Sequence, residues 1–182
     1  EVLTKLIEQK VRVLYIAGNH DSARRIHFGN RLMQAAGVFV RGELEDPLTP
    51  VVLEDRFGPV YFQLYPYAEP AAIRAAFGRE EQLDFDSATQ LLVDTGREQI
   101  PAGARSVAVA HAFLAGGQSS ESERPLSVGG SGNVSPAMFH WFSYTALGHL
   151  HNPQAAGGEM IRYSGSLMKY SFDEAQQHKG VN

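Results

Sequence analysis

The chain has no cysteine among its 182 residues, which excludes zinc-thiolate sites, thiol nucleophiles and disulfides. Any metal must therefore be held by nitrogen and oxygen. Long apolar runs are missing as well. Val107-Ala-Val-Ala110 is typical, far short of the roughly 20 residues that span a bilayer. No signal-peptide pattern opens the chain, so a cytoplasmic protein with no membrane association is expected. A positive excess is also lacking: 16 basic against 20 acidic residues leave a net charge of −4. Nucleic acid binding relies on Lys and Arg at phosphates, so a DNA substrate would need a local site or further segments. What is present, 43% hydrophobic and 20% charged residues, is the makeup of a globular protein with one core. It excludes a disordered tail and a collagen-like fibre.

The order of segments predicts one α/β domain over residues 1–182. Val2, Leu3, Leu6 and Ile7 fall on one face of a helix that has neither a cap nor an initiator Met ahead of it. The other end, from Gln176 to Asn182, closes no recognisable element. Both boundaries read as imposed on something longer. Val11-Arg-Val-Leu-Tyr-Ile-Ala17 predicts a strand buried on both faces. A short helix around Leu32 to Ala36 is expected to close at Gly37. Strands are expected at Val38–Val40, Val51–Leu53 and Val60–Tyr65, and helices at Ala71–Phe77 and Ser87–Arg97, the second capped by Asp86 or Ser87. Further strands are expected at Val107–Ala110, Tyr144–Leu147 and Met160–Tyr163, and a helix start at Ser135-Pro136. Residues 116–133, rich in Gly and Ser, predict a long surface loop of the kind that often carries function.

Three of the apolar strands run into polar rims. The first ends in Gly18-Asn-His-Asp21, the second in His111 and the third in Gly148-His-Leu-His151. In layered α/β folds strand ends converge on one rim, so these groups are expected to meet although they are far apart in sequence. Neutral imidazoles and an Asn carbonyl suit Mn, Fe, Zn or Ni. On an extended strand His149 and His151 would share a face, each serving a different ion of a pair. Taken singly, His111 reads as a structural histidine and Asn19-His20 as a turn. It is the joint pattern that points to metal. His27, His140 and His178 lack such context, and Trp141 reads as core packing. Ser164-Gly-Ser166 reads as a turn at the rim, with no base–acid pair to make a serine nucleophile.

Gly18-Asn-His-Asp21, the strand ending in His111, and Gly148-His-Leu-His151 together resemble the second half of the calcineurin-like metallophosphoesterase pattern. More narrowly, Ala17-Gly-Asn-His-Asp-Ser22, Ser120-Glu-Ser-Glu-Arg124, Tyr144-Thr-Ala-Leu-Gly-His-Leu-His-Asn-Pro153 and Tyr163-Ser-Gly-Ser-Leu167 with Tyr170-Ser-Phe172 are similar to the SbcD-type DNA exonuclease subunits. The resemblance implies an incomplete metallophosphoesterase sandwich, β-sheets flanked by helices, without its N-terminal strands and C-terminal capping domain. It implies a phosphodiester-cutting hydrolase of DNA repair and recombination that works as a homodimer with an SMC-like ATPase of the SbcC type. Asn19, His111 and His149 would hold one metal and His151 the other, two divalent ions of the Mn2+ kind. His20 would be the catalytic histidine and Asp21 would position its ring. Read from the residues alone, Glu123-Arg124 is either a loop ion pair or a contact to DNA or a second subunit, with Arg124 the candidate substrate-binding residue.

The family's Asp-x-His and Gly-Asp motifs, which bring the bridging carboxylate, have no counterpart in this sequence. Two-metal hydrolysis needs that bridge, because the ions share a hydroxide between them. At most one ion and no useful turnover are therefore expected of these 182 residues alone. Two rival readings stay open: another metallophosphoesterase, acting on a phosphoprotein or a small phosphodiester, and a catalytically silent module contributing folding or subunit contacts.

Overall fold

The computed structural model describes residues 1–123 and 132–182. Helix α1 (Val2–Glu8) leads into strand β1 (Val13–Ile16), followed by short helices α2 (Ala23–His27) and α3 (Asn30–Ala35) and strand β2 (Val38–Arg41). Gly37, at φ +85°, follows α3 in the left-handed conformation and turns the chain into β2, as the sequence predicts. β1 and β2 pair in parallel, with Val13 opposite Val38 and Ile16 opposite Arg41.

The chain continues through β3 (Val51–Asp55), β4 (Gly58–Tyr65), α4 (Pro70–Ala76), α5 (Phe85–Arg97), β5 (Ser106–His111), β6 (Phe113–Leu114), β7 (Asn133–Val134), β8 (Tyr144–Gly148), β9 (Gln154–Ala155) and β10 (Ile161–Tyr163). A mixed six-stranded sheet has the order β3-β4-β5-β8-β10-β9, parallel from β4 through to β10 and antiparallel at both edges. The α/β class expected from the segment order is thus observed. Short 3-10 turns lie at Pro136–Phe139 and Phe172–Gln176.

Helix α5 is anchored at its start by a reciprocal cap. Asp84 accepts from the Ser87 N–H at 2.8 Å, and the Asp84 N–H donates to the Ser87 hydroxyl at 3.1 Å. The cap is therefore Asp84, not Asp86 or Ser87, because the Asp-x-x-Ser spacing lets both side chains satisfy orphan amides. The helix then buries Ala88, Leu92 and Val93 in a core with Tyr65, Ala108, Phe139 and Tyr163. In β5 buried and half-buried positions alternate, as expected of a strand with two unequally covered faces.

The strand predicted to be buried on both faces is not. No residue of β1 is fully buried, and Tyr15 is 44% exposed. The apolar composition of Val13 to Ile16 was the basis of that expectation, but Val13, Leu14 and Ile16 are only half-buried and Tyr15 reaches solvent.

Tyr163 is the largest fully buried side chain. Its hydroxyl donates to the Ala112 carbonyl at 2.7 Å and accepts from the Leu114 N–H at 2.9 Å, pinning the chain immediately after His111. Tyr163→Phe should leave both groups buried and unpaired, so chemical denaturation should show a loss of about 2–3 kcal/mol. An unchanged midpoint would mean that water or a shifted backbone replaces the hydroxyl.

Candidate metal centre

The parallel strands bring their C-terminal ends to one rim. His111 is the last residue of β5 and sits opposite Gly148, the last of β8. Just beyond β1, the Ala17 carbonyl accepts the N–H of Tyr67, just beyond β4, at 2.9 Å. That bond draws the Gly18-Asn19-His20 turn to the same rim. There His111 Nε2 lies 2.9 Å from Asn19 Oδ1, across 92 positions of sequence. The His111 and His149 rings meet edge to face with centroids 5.3 Å apart. Asn19, His20, His111, His149 and His151 line one cleft of about 270 Å³, together with Glu123, Ser164 and Ser166.

Two glycines make room for the His111 ring. A Cβ on Gly18 would stand 2.8 Å from His111 Cε1, and one on Gly148 would stand 3.1 Å from His111 Nδ1. The ring is therefore gripped between the first turn and β8.

His149 and His151 do not reach the cleft by strand alternation, as the sequence suggested. β8 stops at Gly148, and His149 takes φ +109°, a conformation that costs an L-residue energy and is held here by its surroundings. Leu150, 2% exposed, drives inward as the anchor of this turn and leaves a histidine on either side of it.

Burial first, and then the neighbouring His149 and His20, pushes His111 down to about 3. Burial, followed by His151 and His20, pushes His149 down to about 4. Both rings are accordingly neutral near pH 7 and offer lone pairs, the state a metal requires.

Asp21 takes a different post from the expected one. Its carboxylate accepts the Gly18 N–H at 2.8 Å, and among the described residues no hydrogen bond joins it to His20. It shapes the turn that presents Asn19 and His20 rather than orienting the His20 ring. Arg124, expected to touch substrate, lies outside the described residues, as do most of the loop residues after it.

Two carboxylates that sequence reasoning did not assign to the site brace it, Glu123 from the wall of the cleft and Glu174 from behind the His151 ring. Glu123 accepts the N–H groups of Ser120 and His151 and so ties the loop to the His151 turn. Glu174, fully buried, accepts from His151 Nδ1 at 2.9 Å and from Lys179 Nζ at 2.7 Å. Burial would raise the Glu174 carboxyl, but Lys179, Ser122, His151 and the Tyr170 N–H outweigh it and hold it below the usual carboxylate range. The only sequence signal for Glu174 is an acidic pair just after Ser171, which reads as an ordinary exposed turn.

Among the described residues no group of three or more His, Asp and Glu side chains is arranged to hold a metal ion. In kind, however, the rim donors fit one. His111 Nε2 donates a hydrogen bond to Asn19 Oδ1 at 2.9 Å, a separation that adjacent ligands on an octahedral ion with bonds near about 2.1 Å would also have once that proton is lost. Among the described residues the carboxylate in this cleft is Glu123, and both its oxygens already accept backbone N–H groups, so no free carboxylate stands among these donors to offset the cation's charge.

A parallel-sheet rim that gathers an Asn and neutral histidines in one cleft defines an α/β protein with a candidate site at its strand ends. No family model matches the chain. Over 174 residues it is 32% identical to the SbcD component of the nuclease SbcCD of Staphylococcus epidermidis, an alignment taking in 96% of this chain and 46% of that relative. The chain is a homologue of that nuclease component, and it spans about half the length of the curated relative it matches.

Proposed function

We propose that the chain is part of the metallophosphoesterase domain of an SbcD-like DNA nuclease, one that cuts phosphodiesters with two divalent ions of the manganese kind and works as a dimer with an SMC-like ATPase of the SbcC type. The observation that carries this reading is the 2.9 Å approach of Asn19 to His111 at a cleft shared with His20, His149 and His151, in a chain homologous to a nuclease component. Asn19, His111 and His149 would hold one ion and His151 the other, with carboxylates supplied by parts of the protein that the chain does not span. Bound metal would supply charge neutralisation at phosphate and an activated water.

The chain's own residues do the rest. Burial keeps His111 and His149 neutral and ready to donate lone pairs. His20, exposed at the mouth of the cleft, is placed to orient a phosphate oxygen or protonate a leaving oxygen, the work of a positioned general acid. No helix among the described residues is long and apolar enough to cross a membrane.

The test compares two proteins on linear double-stranded DNA with manganese: this chain, and a protein of the relative's length that carries it. The longer protein should cut. The chain alone should take up no more than one weakly held ion by calorimetry and should not turn over, because nothing bridges a second ion. Robust cutting by the chain alone would show that its own residues complete the site. Failure of both would remove the nuclease reading.

A further inference from the structure

Glu174 inverts the usual order of burial. In the short Phe172–Gln176 turn the phenylalanine is 99% exposed, whereas the carboxylate two residues on is 0% exposed. Acids are almost never fully buried without partners, so the partners decide how this segment lies. Glu174 Oε2 accepts from Lys179 Nζ at 2.7 Å and from the Tyr170 N–H at 3.2 Å. Its Oε1 accepts from the Ser122 hydroxyl and from His151 Nδ1, the latter at 2.9 Å. Lys179 also donates to the His151 carbonyl at 2.7 Å and to the Ser166 hydroxyl at 2.9 Å. One buried ion pair thereby holds the His151 turn, the Ser122 loop and the Ser166 wall of the cleft together.

The hydrogen bonds also fix the ring's tautomer. A carboxylate accepts and never donates. Ser122 has one proton, which goes to Glu174, so at 2.7 Å from His151 Nδ1 its oxygen accepts from the ring. Nδ1 must then carry the proton, and in the neutral ring Nε2 keeps the lone pair. Tyr170, with its ring centroid 5.4 Å from that of His151, limits rotation.

We propose that Glu174, held by Lys179, is a positioning residue that locks His151 with Nδ1–H turned to the carboxylate and Nε2 free for a ligand in the cleft. This rests on reading the rim as a metal-dependent site, where the far nitrogen of a ligating histidine is commonly held by a carboxylate. It differs from a purely structural ion pair in that the ring nitrogen itself is engaged.

The experiment is nitrogen-15 spectroscopy of the histidine rings in this chain, at an alkaline pH where exposed imidazoles are neutral, with exposed His178 as the internal reference. His151 should show a single Nδ1–H tautomer, unlike His178. In the double variant E174M/K179M, which removes both charges without orphaning either, His151 should fall into the mixture shown by His178 while the His140 signals stay in place. S122A should keep the single tautomer. A mixture in the unmodified chain, or a single tautomer surviving in E174M/K179M, would overturn the proposal.

In the longer protein the same double variant should raise the manganese concentration needed for half-maximal cutting by about 10–100-fold. An unchanged requirement alongside a lost tautomer would overturn Glu174's role at the site. A locked tautomer with no manganese-dependent cutting by the unmodified longer protein would leave the positioning intact and remove the nuclease reading instead.

Discussion

Between about pH 7 and pH 4 the chain is expected to lose on the order of 3 kcal/mol of folding stability. Two groups set that window. His111 is pushed down to about 3 and His149 to about 4, burial being the first cause of each shift. In the unfolded chain both titrate near the ordinary value of about 6.5. Below that pH the unfolded state binds protons that the folded state refuses, and stability falls wherever the unfolded state binds more protons. The contribution is thus fully present above about pH 6.5, is lost as the pH drops through the interval, and levels off only below the folded values. The full shifts would give more than 3 kcal/mol, but both rings are only partly covered and the cleft is open to solvent, which screens them.

The depressed carboxylates act lower down. Asp55, held at about 2 first by its bond from Arg105, and Glu174, held low by Lys179, begin to lose their contributions near about pH 5 and lose most of them in stronger acid. Denaturant titrations across this range should show a steep fall that is flattened when His111 and His149 are both replaced by Gln. An equal midpoint at about pH 7 and pH 4.5 would contradict the buried, neutral state of these rings.

Strand ends were legible because composition marks them. Val107-Ala-Val-Ala110 can only be buried in a sheet, and the polar residue that follows must sit at its rim; β5 ends there, at His111. The same logic located Asn19, His20 and the turn after Gly148. It failed where the decisive interaction is tertiary and polar. Nothing local distinguishes Glu174, buried beside Lys179, from Asp173, which is exposed one position earlier. Asp21 beside His20 suggested a ring partner, but the shorter path to the Gly18 N–H prevailed. Nor does sequence show that a histidine rather than a glycine takes φ +109° after Gly148. Apolar content likewise overstated the cover on β1, since it records what a strand is able to bury, and Tyr15 stays 44% exposed.

His20 and His149 should separate sharply when replaced in the longer protein, because their surroundings give them different work. His20 is exposed, lines the cleft and makes no hydrogen bond among the described residues. His149 is partly buried, faces His111 at 5.3 Å and is held neutral. His20→Asn should lower DNA hydrolysis by roughly 10²–10⁴, the usual contribution of a positioned acid, while manganese uptake stays as it was. His149→Ala should lower hydrolysis and uptake together, since it deletes a donor. Alanine is also strained at φ +109°, so His149→Gly is the matched control: it removes the ring and relieves the backbone, and it should lose the metal just as fully. Recovery of uptake in His149→Gly would assign the alanine defect to backbone strain and take His149 out of the ligand set. Loss of uptake in His20→Asn would instead make His20 a ligand and leave the cleft without an acid.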